Sequence, residues 1–399
     1  MTTVVVVLPS TTYRASDFVR AAESLSVDLI VASEQPPPFD MGDRYVEIDC
    51  ADPDSAARAI VALGDRAAID GVVGADDTGV IVTAMAATEL GLRANDPEAA
   101  RATRDKALMR QRLETAEVPQ PRFGIVKPGD DAAMVAAGVG YPLVIKPVNR
   151  SASQGVTKVV HHLDLGLAMA RLQGIIGHDE EMLVEEFMPG EEVAVEGIVH
   201  DGELTTLALF DKPDAAQGPY FPETILVTPS ILDDAIQQEC ERVAQAALRG
   251  LGVTHGPVHV ELKVDGNEVR VIEVAARSIG GLCSKSLTFG LLGTTLEALI
   301  IRNALGWDKP ELRRERSASG VLMIPIPQSG VFDRINGLDS VKELDGISSI
   351  DITTTPGSRV APPPEGDHYL GFVFAKGTRP NEVTDVLRKA SELIQVEIR

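Results

Sequence analysis

Val258-His259-Val260-Glu261-Leu262-Lys263-Val264-Asp265-Gly266-Asn267-Glu268-Val269-Arg270-Val271-Ile272-Glu273-Val274-Ala275-Ala276-Arg277 is the stretch on which the reading turns. Its first part alternates apolar and polar, so His259, Glu261 and Lys263 share one face of a strand. Asp265-Gly266-Asn267 is a turn signal, and the chain returns from Glu268 to Val274. With a three-residue loop, Val264 opposes Glu268 and Glu273 faces His259. Glu273 then lies diagonal to Glu261 on the same side of the sheet. A two-residue loop would put the carboxylates on opposite faces unless a bulge intervened. Two carboxylates on one face repel unless a cation sits between them. Hard oxygen ligands suit Mg²⁺, which takes one or two carboxylates plus substrate phosphates. The plain alternative is an acidic sheet face with ordinary partners. Against it, Glu273 sits between Ile272 and Val274, and a buried carboxylate needs a partner. Arg277, a short step further, could neutralise phosphate or transition-state charge.

Upstream, Tyr141-Pro142-Leu143-Val144-Ile145-Lys146-Pro147 reads as a buried strand with a lysine near its end. A lone lysine is usually solvated. Here Arg150-Ser151-Ala152-Ser153-Gln154-Gly155-Val156 follows, a small hydroxyl-rich loop leading into a strand at Thr157–His161. Small residues let backbone N–H groups approach phosphate oxygens, so the pattern fits a phosphate lid. It lacks G-x-x-x-x-G-K-[ST], which excludes a P-loop. Met182 to Glu192 then reads as a strand, a Pro189-Gly190 turn and a second strand, Val193–Val199. Such a hinge could pair its backbone with an adenine edge, with a carboxylate on ribose hydroxyls. An exposed acidic turn is the simpler reading of that motif by itself.

The first hundred residues alternate strands (Thr3–Leu8, Val27–Ala32, Gly71–Gly74) with helices (Ala15–Leu25, Ser55–Leu63, Thr78–Leu90 ending at Gly91), which implies a parallel sheet covered by helices. Leu8-Pro9-Ser10-Thr11-Thr12-Tyr13 follows the first strand in place of G-x-G-x-x-G, so no dinucleotide site is supported. Asp76-Asp77 falls where a parallel strand ends, as ligand residues or as a helix N-cap pair. One long polar helix is expected from Pro97 to about Ala116 and contains Asp105-Lys106. Beyond Glu311, strands at Val321–Ile326, Ile350–Thr353 and Tyr369–Phe374 precede a helix at Pro380–Ile394.

A chain of 399 residues with 44% hydrophobic and 24% charged content is globular. No apolar run approaches the ~20 residues of a membrane span, and Met1 to Val7 lacks a signal-peptide n-region, so a cytoplasmic protein off the membrane is expected. With 37 basic against 59 acidic residues the net charge is −22, which argues against a nucleic-acid partner. The three cysteines, Cys50, Cys240 and Cys283, are in no metal-ligand spacing and read as buried thiols.

Taken in order, Lys106, Lys146, the Ser151–Val156 loop, Glu185-Glu186-Phe187, Glu192 and Glu261…Glu273 resemble the ATP-grasp superfamily. Ala275-Ala276-Arg277, Gly218-Pro219-Tyr220-Phe221-Pro222-Glu223-Thr224 and Gly371-Phe372-Val373-Phe374-Ala375-Lys376-Gly377 are similar to its L-amino acid ligase branch. The resemblance implies an α/β (α+β) ATP-grasp fold in three parts. These are a Rossmann-like pre-ATP-grasp domain over 1–100, an ATP-grasp domain over 101–310 with a lid at about 122–195, and a small C-terminal α+β closing domain over 311–399. It implies that Lys106 and Lys146 hold the α- and β-phosphates of ATP and that Ser153, Gly155 and Val156 lie in the lid. Glu185 and the Phe187 backbone would meet adenine, Glu192 the ribose, and Glu261 with Glu273 two Mg²⁺ ions, Mn²⁺ being an alternative metal. Arg277 would steady the transferred phosphoryl group. Tyr220, His259, Gly280 and Gly281 would lie near a carboxylate and an amine, expected to be amino acids. For His259, a structural hydrogen bond is weighed above a base for the amine. Many members place an Asn two residues after the second glutamate as a metal ligand; here Ala275 stands there. The implied activity is ATP-dependent amide formation through an acyl-phosphate, giving ADP and phosphate. A bicarbonate-using carboxylase and a non-catalytic ATP-binding protein are the alternatives, and a homodimer is left open.

Overall fold

The computed structural model describes residues 2–10, 12, 14–36, 42–287, 294–307 and 317–399. Thr11 and Tyr13 of the loop after the first strand, and the expected boundary at 310/311, lie outside the described residues. Near the N-terminus four strands pair in parallel in the order Tyr45–Glu47, Asp28–Ser33, Thr3–Val7, Gly71–Gly74. Val4, Val5, Val6 and Val7 are all fully buried because both faces are covered. Val4 and Val6 pack with Phe18 and Ala22 of helix Ala15–Leu25 and with Leu296–Ala304. Val5 and Val7 pack with Pro53–Val61 and Val80–Glu89. A helix from nearly 300 residues away thus completes the first sheet.

The expected single helix over Pro97–Ala116 is two helices, Pro97–Ala102 and Lys106–Thr115. Asp105 breaks it. Its extended backbone leaves its carboxylate to accept the Leu108 N–H at 2.9 Å, an N-cap, while the Lys106 N–H donates to the Val148 carbonyl at 2.8 Å. A four-stranded antiparallel sheet follows, ordered Phe123–Val126, Met182–Glu186, Leu143–Pro147, Thr157–Val159. Helices Ala132–Val139 and Leu165–Ile176 cover one face of it.

The largest sheet has eight strands. Their order is Glu268–Ala275, Gly256–Asp265, Glu191–His200, Glu203–Asp211, Ile225–Thr228, Ala318–Ile324, Gly371–Gly377, Ile347–Ile352. Strands expected in a separate closing segment therefore extend the sheet that carries the acidic hairpin, joined where Ile225–Thr228 pairs with Ala318–Ile324. Helix Asp234–Leu251 packs on the hairpin end and Pro380–Leu393 on the other. Gly330–Asn336, Arg359–Val360 and Gln395–Ile398 form a further small sheet that the sequence pattern does not announce.

The hairpin corrects one expectation. Its loop has two residues, Gly266 and Asn267, because Asp265 pairs with Glu268. Gly266 takes φ +60°, a left-handed value that glycine adopts at little cost. Alternation alone would then send Glu261 and Glu273 to opposite faces. A bulge restores them: Leu262 pairs with Val271 but Glu261 pairs with Glu273, so Ile272 is the extra residue. The two carboxylates are directly opposed, not diagonal.

Candidate functional site

A cavity of about 910 Å³ opens where these parts meet. Asp76 and Asp77 reach it from the end of the first sheet, Lys146 and the 150–156 loop from the small antiparallel sheet, and Glu261 and Glu273 from the hairpin. Thr353, His368, Tyr369 and Phe372 reach it from the C-terminal strands.

Lys106 and Lys146 both point into it. Lys106 Nζ lies 3.0 Å from Glu273 Oε1 and donates to the Arg150 carbonyl at 2.6 Å. Lys146 Nζ lies 2.6 Å from Glu185 Oε2, whose other oxygen lies 2.5 Å from Arg110 Nε. Burial opposes the Glu185 charge, but Arg110 and Lys146 overcome it and hold the carboxyl down at about 2. Burial lowers the Lys146 ammonium, with Glu185 opposing. Both oxygens of Glu185, expected to meet adenine, are thus engaged by protein cations, and Glu185 anchors Lys146. Arg110 also donates to the carbonyls of Val271 (3.3 Å) and Ile272 (2.6 Å). Both carbonyls belong to the edge strand at its bulge, so one buried guanidinium ties the bulge to the lysine strand.

Lys212 is a residue that sequence reasoning missed, as is Arg110. Its Nζ lies 2.7 Å from Glu192, 2.7 Å from Glu223 and 3.3 Å from Glu261. Burial opposes its charge, yet the three carboxylates push its ammonium well above the usual range. Oxygens of Glu192, Glu223 and Glu261 lie within 4.8 Å of one another, close enough to hold a metal. Lys212 lies among these three carboxylates and offsets part of their charge. Glu273, expected as the second metal residue, lies 3.0 Å from Lys106 Nζ. Ala275 sits opposite His259, buried, and offers no ligand.

Arg277 Nε lies 3.0 Å from Asp77 Oδ2, and Arg104 NH1 lies 2.9 Å from Asp77 Oδ1. Burial opposes the Asp77 charge, but these two arginines hold its carboxyl far below the usual range. Asp76 instead accepts from Thr78 N at 3.1 Å and Thr78 Oγ1 at 2.9 Å. The two readings of the pair divide: Asp76 is the cap and Asp77 faces the cavity arginines. His259 has both ring nitrogens occupied, Nδ1 at 3.1 Å from Glu196 and Nε2 at 3.3 Å from Glu261. Burial disfavours its charged form, but the hydrogen bonds it donates to the Glu196 and Glu261 carboxylates raise its pKa. With both ring nitrogens engaged by carboxylates, the imidazole has no free nitrogen to accept a proton from an amine, which favours the structural role.

In the lid loop, Ala152, Ser153 and Gly155 have φ of 53°, 58° and 76°. The Gln154 and Val156 N–H groups donate within the loop, to the Ser151 and Ser153 carbonyls at 3.1 and 3.2 Å. Ser153 and Val156 line the cavity. Gly155 does not; its N–H donates to the Pro364 carbonyl at 2.8 Å, and a Cβ there would meet Leu172 Cδ1 at 2.8 Å. Phe187 lines the cavity, but its N–H donates to the Pro142 carbonyl at 3.1 Å. Glu192 lines it beside Lys212 and Lys263. Gly280 and Gly281 line it. Tyr220 does not: its hydroxyl and ring engage Arg171 on the outer side of the loop, where Lys158 holds the Pro219 carbonyl at 2.8 Å.

The chain matches an ATP-grasp domain over residues 139–286, an ATP-grasp N-terminal domain over 19–93, and L-amino acid ligase C-terminal domain 2 over 322–399. It is 24% identical to an uncharacterized protein of Sinorhizobium fredii, over 98% of this chain and 82% of that one. It is 29% identical to the alanine–anticapsin ligase of Bacillus subtilis over 55% of this chain, and spans about half, 51%, of that relative's length. The crystal structure of an L-amino acid ligase from Bacillus licheniformis superposes with a TM-score of 0.85 at 23% identity, covering 100% of this chain and 99% of that one. Three matching domains in consecutive order, on a fold shared over its whole length, place this chain in the ATP-grasp superfamily.

Proposed function

We propose that the protein is an ATP-dependent carboxylate–amine ligase that makes an amide, with ADP and phosphate as the other products. The observation that carries this is the convergence of Lys106, Lys146, Lys212 and Arg277 with the opposed Glu261 and Glu273 on one cavity. Four cations suit a polyphosphate, and paired carboxylates facing them suit a hard divalent cation. The residues fit magnesium: both carboxylates are ionic oxygen donors, already balanced by exchangeable ammonium groups. Glu261 and Glu273 would hold it; bound there, it supplies charge neutralisation at the phosphates. Relatives named as ligases support amino acids as substrates.

In this reading Lys106 and Lys146 hold the inner phosphates, with Lys146 fixed by Glu185. Lys212 and Arg277 face the γ-phosphoryl group as it passes to the substrate carboxylate. An amine then attacks the acyl-phosphate carbonyl, the C–O bond to phosphate breaks, and phosphate leaves as the C–N bond forms. The lid loop, docked on Pro364, keeps water from the acyl-phosphate. Lys212 has three carboxylates to leave when phosphate arrives, and Glu192 is freed toward the ribose.

Phosphate release tests this. The purified chain is assayed with ATP and Mg²⁺ against single and paired amino acids, with bicarbonate as a separate arm. Release requiring a particular pair, with a condensed product by mass spectrometry, is the expected result. Stimulation by bicarbonate alone would replace the ligase reading with a carboxylase. ATP binding without release under any condition would leave a nucleotide-binding protein.

A further inference from the structure

One wall of the cavity is the segment 278–284, of which Ile279, Gly280, Gly281 and Cys283 line the space. Behind it, outside the cavity, lies an ion pair built from two remote places. Arg14 immediately precedes helix Ala15–Leu25, and Glu297 is in the first turn of Leu296–Ala304. Both are buried, and Arg14 NH2 lies 2.6 Å from Glu297 Oε1. The pair grips both ends of the segment. Arg14 NH1 donates to Ser278 Oγ, and also to the Ala75 carbonyl at 3.3 Å. Ser284 Oγ donates to Glu297 Oε1 at 3.1 Å.

Between those ends the segment has little freedom. The Ile279 N–H donates to the Glu196 carboxylate at 2.9 Å. Gly281 takes φ +59°, and a Cβ there would lie 2.6 Å from Phe372 Cζ. A planar guanidinium with several donors suits the task of holding a serine, a carbonyl and a carboxylate in one arrangement. Burying two charges is an inefficient way to stabilise a fold, since apolar side chains of like volume commonly do as well. What this pair adds is a defined position for the wall, joining the N-terminal unit to the substrate end of the cavity.

We propose that Arg14 and Glu297 are positioning residues that set the 278–284 wall and, through it, how tightly the enzyme holds its carboxylate and amine substrates. The proposal rests on the ligase reading for the word substrate, and on geometry alone for the wall. The test uses the full chain with Ser278→Ala/Ser284→Ala, which frees both ends of the wall but keeps the ion pair, beside Arg14→Lys and Arg14→Gln. Three readouts separate the cases: calorimetric affinity for ADP with Mg²⁺, hydrogen exchange of the 279–284 amides, and KM and kcat in amino-acid-dependent phosphate release.

Expected for the double serine variant are faster exchange at 279–284 and a KM raised about tenfold, the worth of two hydrogen bonds, with kcat and ADP affinity held within about twofold. Arg14→Lys, which keeps the charge, falls between wild type and Arg14→Gln. Exchange and KM both unchanged in the double serine variant would overturn the proposal. So would ADP affinity falling in step with KM, since that marks general loosening of the fold. If the wild type shows no amino-acid-dependent release, the ligase reading fails. Exchange with ADP affinity then decides the wall by itself: faster exchange with intact ADP binding sustains the positioning role, and unchanged exchange ends it.

Discussion

Glu185→Gln removes one charge from the most enclosed part of the site while keeping the side chain's shape. In the native protein Glu185 lies between Arg110 and Lys146, at 2.5 and 2.6 Å. Holding its carboxyl at about 2 against an ordinary 4.5 corresponds to about 3 kcal/mol in favour of the charged form. Breaking one side of a buried pair costs about the same, ~3–5 kcal/mol. The variant leaves two cations facing each other, and Lys146 loses the carboxylate that opposes its deprotonation. Urea denaturation at pH 7 should show unfolding free energy lower by about 3 kcal/mol. The sign of the pH dependence is fixed: a depressed carboxyl stabilises fully above its unfolded pKa, and the benefit is lost as pH falls through the folded value. The window therefore runs from about 4.5 down to about 2, and at pH 3.5 the gap between wild type and variant should narrow by about 1 kcal/mol. ATP affinity by calorimetry should fall about tenfold or more, because Lys146 is no longer held. Equal stability at pH 7, or a gap that does not change with pH, would refute the reasoning that this triad is tightly coupled.

Three further outcomes are expected. Glu273→Ala should abolish ATP turnover, and undiminished ADP production would sink the metal assignment. Lys146→Ala should chiefly weaken ATP binding, and an unchanged nucleotide affinity by calorimetry would contradict its phosphate role. Gly281→Ala places a side chain at φ +59°, 2.6 Å from the Phe372 ring. It should lower the melting temperature by several degrees, with a backbone cost alone of about 1–2 kcal/mol; adding Phe372→Leu should recover part of the loss.

Much of the site could be read from local pattern. Strict alternation put His259, Glu261 and Lys263 on one face, and a lysine at the end of an apolar strand followed by small residues marked Lys146 and the lid. What pattern could not supply was any partner distant in sequence. Lys212 sits between a strand end and Pro213, where it reads as a solvated charge. Only pairing of Glu203–Asp211 with Glu191–His200 brings it among three glutamates. Arg110 lies on a polar helix with no marked apolar face, so nothing local distinguished it from a surface arginine. Tyr220 carried a family resemblance but turned outward to Arg171.

The residues themselves determined the element types over most of the chain, the parallel first sheet, the acidic hairpin and the order of motifs, because period, turn chemistry and charge spacing are local properties. The register of that hairpin was beyond them. A two-residue turn alone would have split Glu261 from Glu273, and the bulge at Ile272 that reunites them is held by Arg110, more than 160 residues earlier. The same holds for the union of the C-terminal strands with the hairpin in one sheet, and for the helix Leu296–Ala304 that covers the first sheet. Each depends on which unpaired strand edge or buried donor finds which distant partner, and that choice is made by the packed structure as a whole.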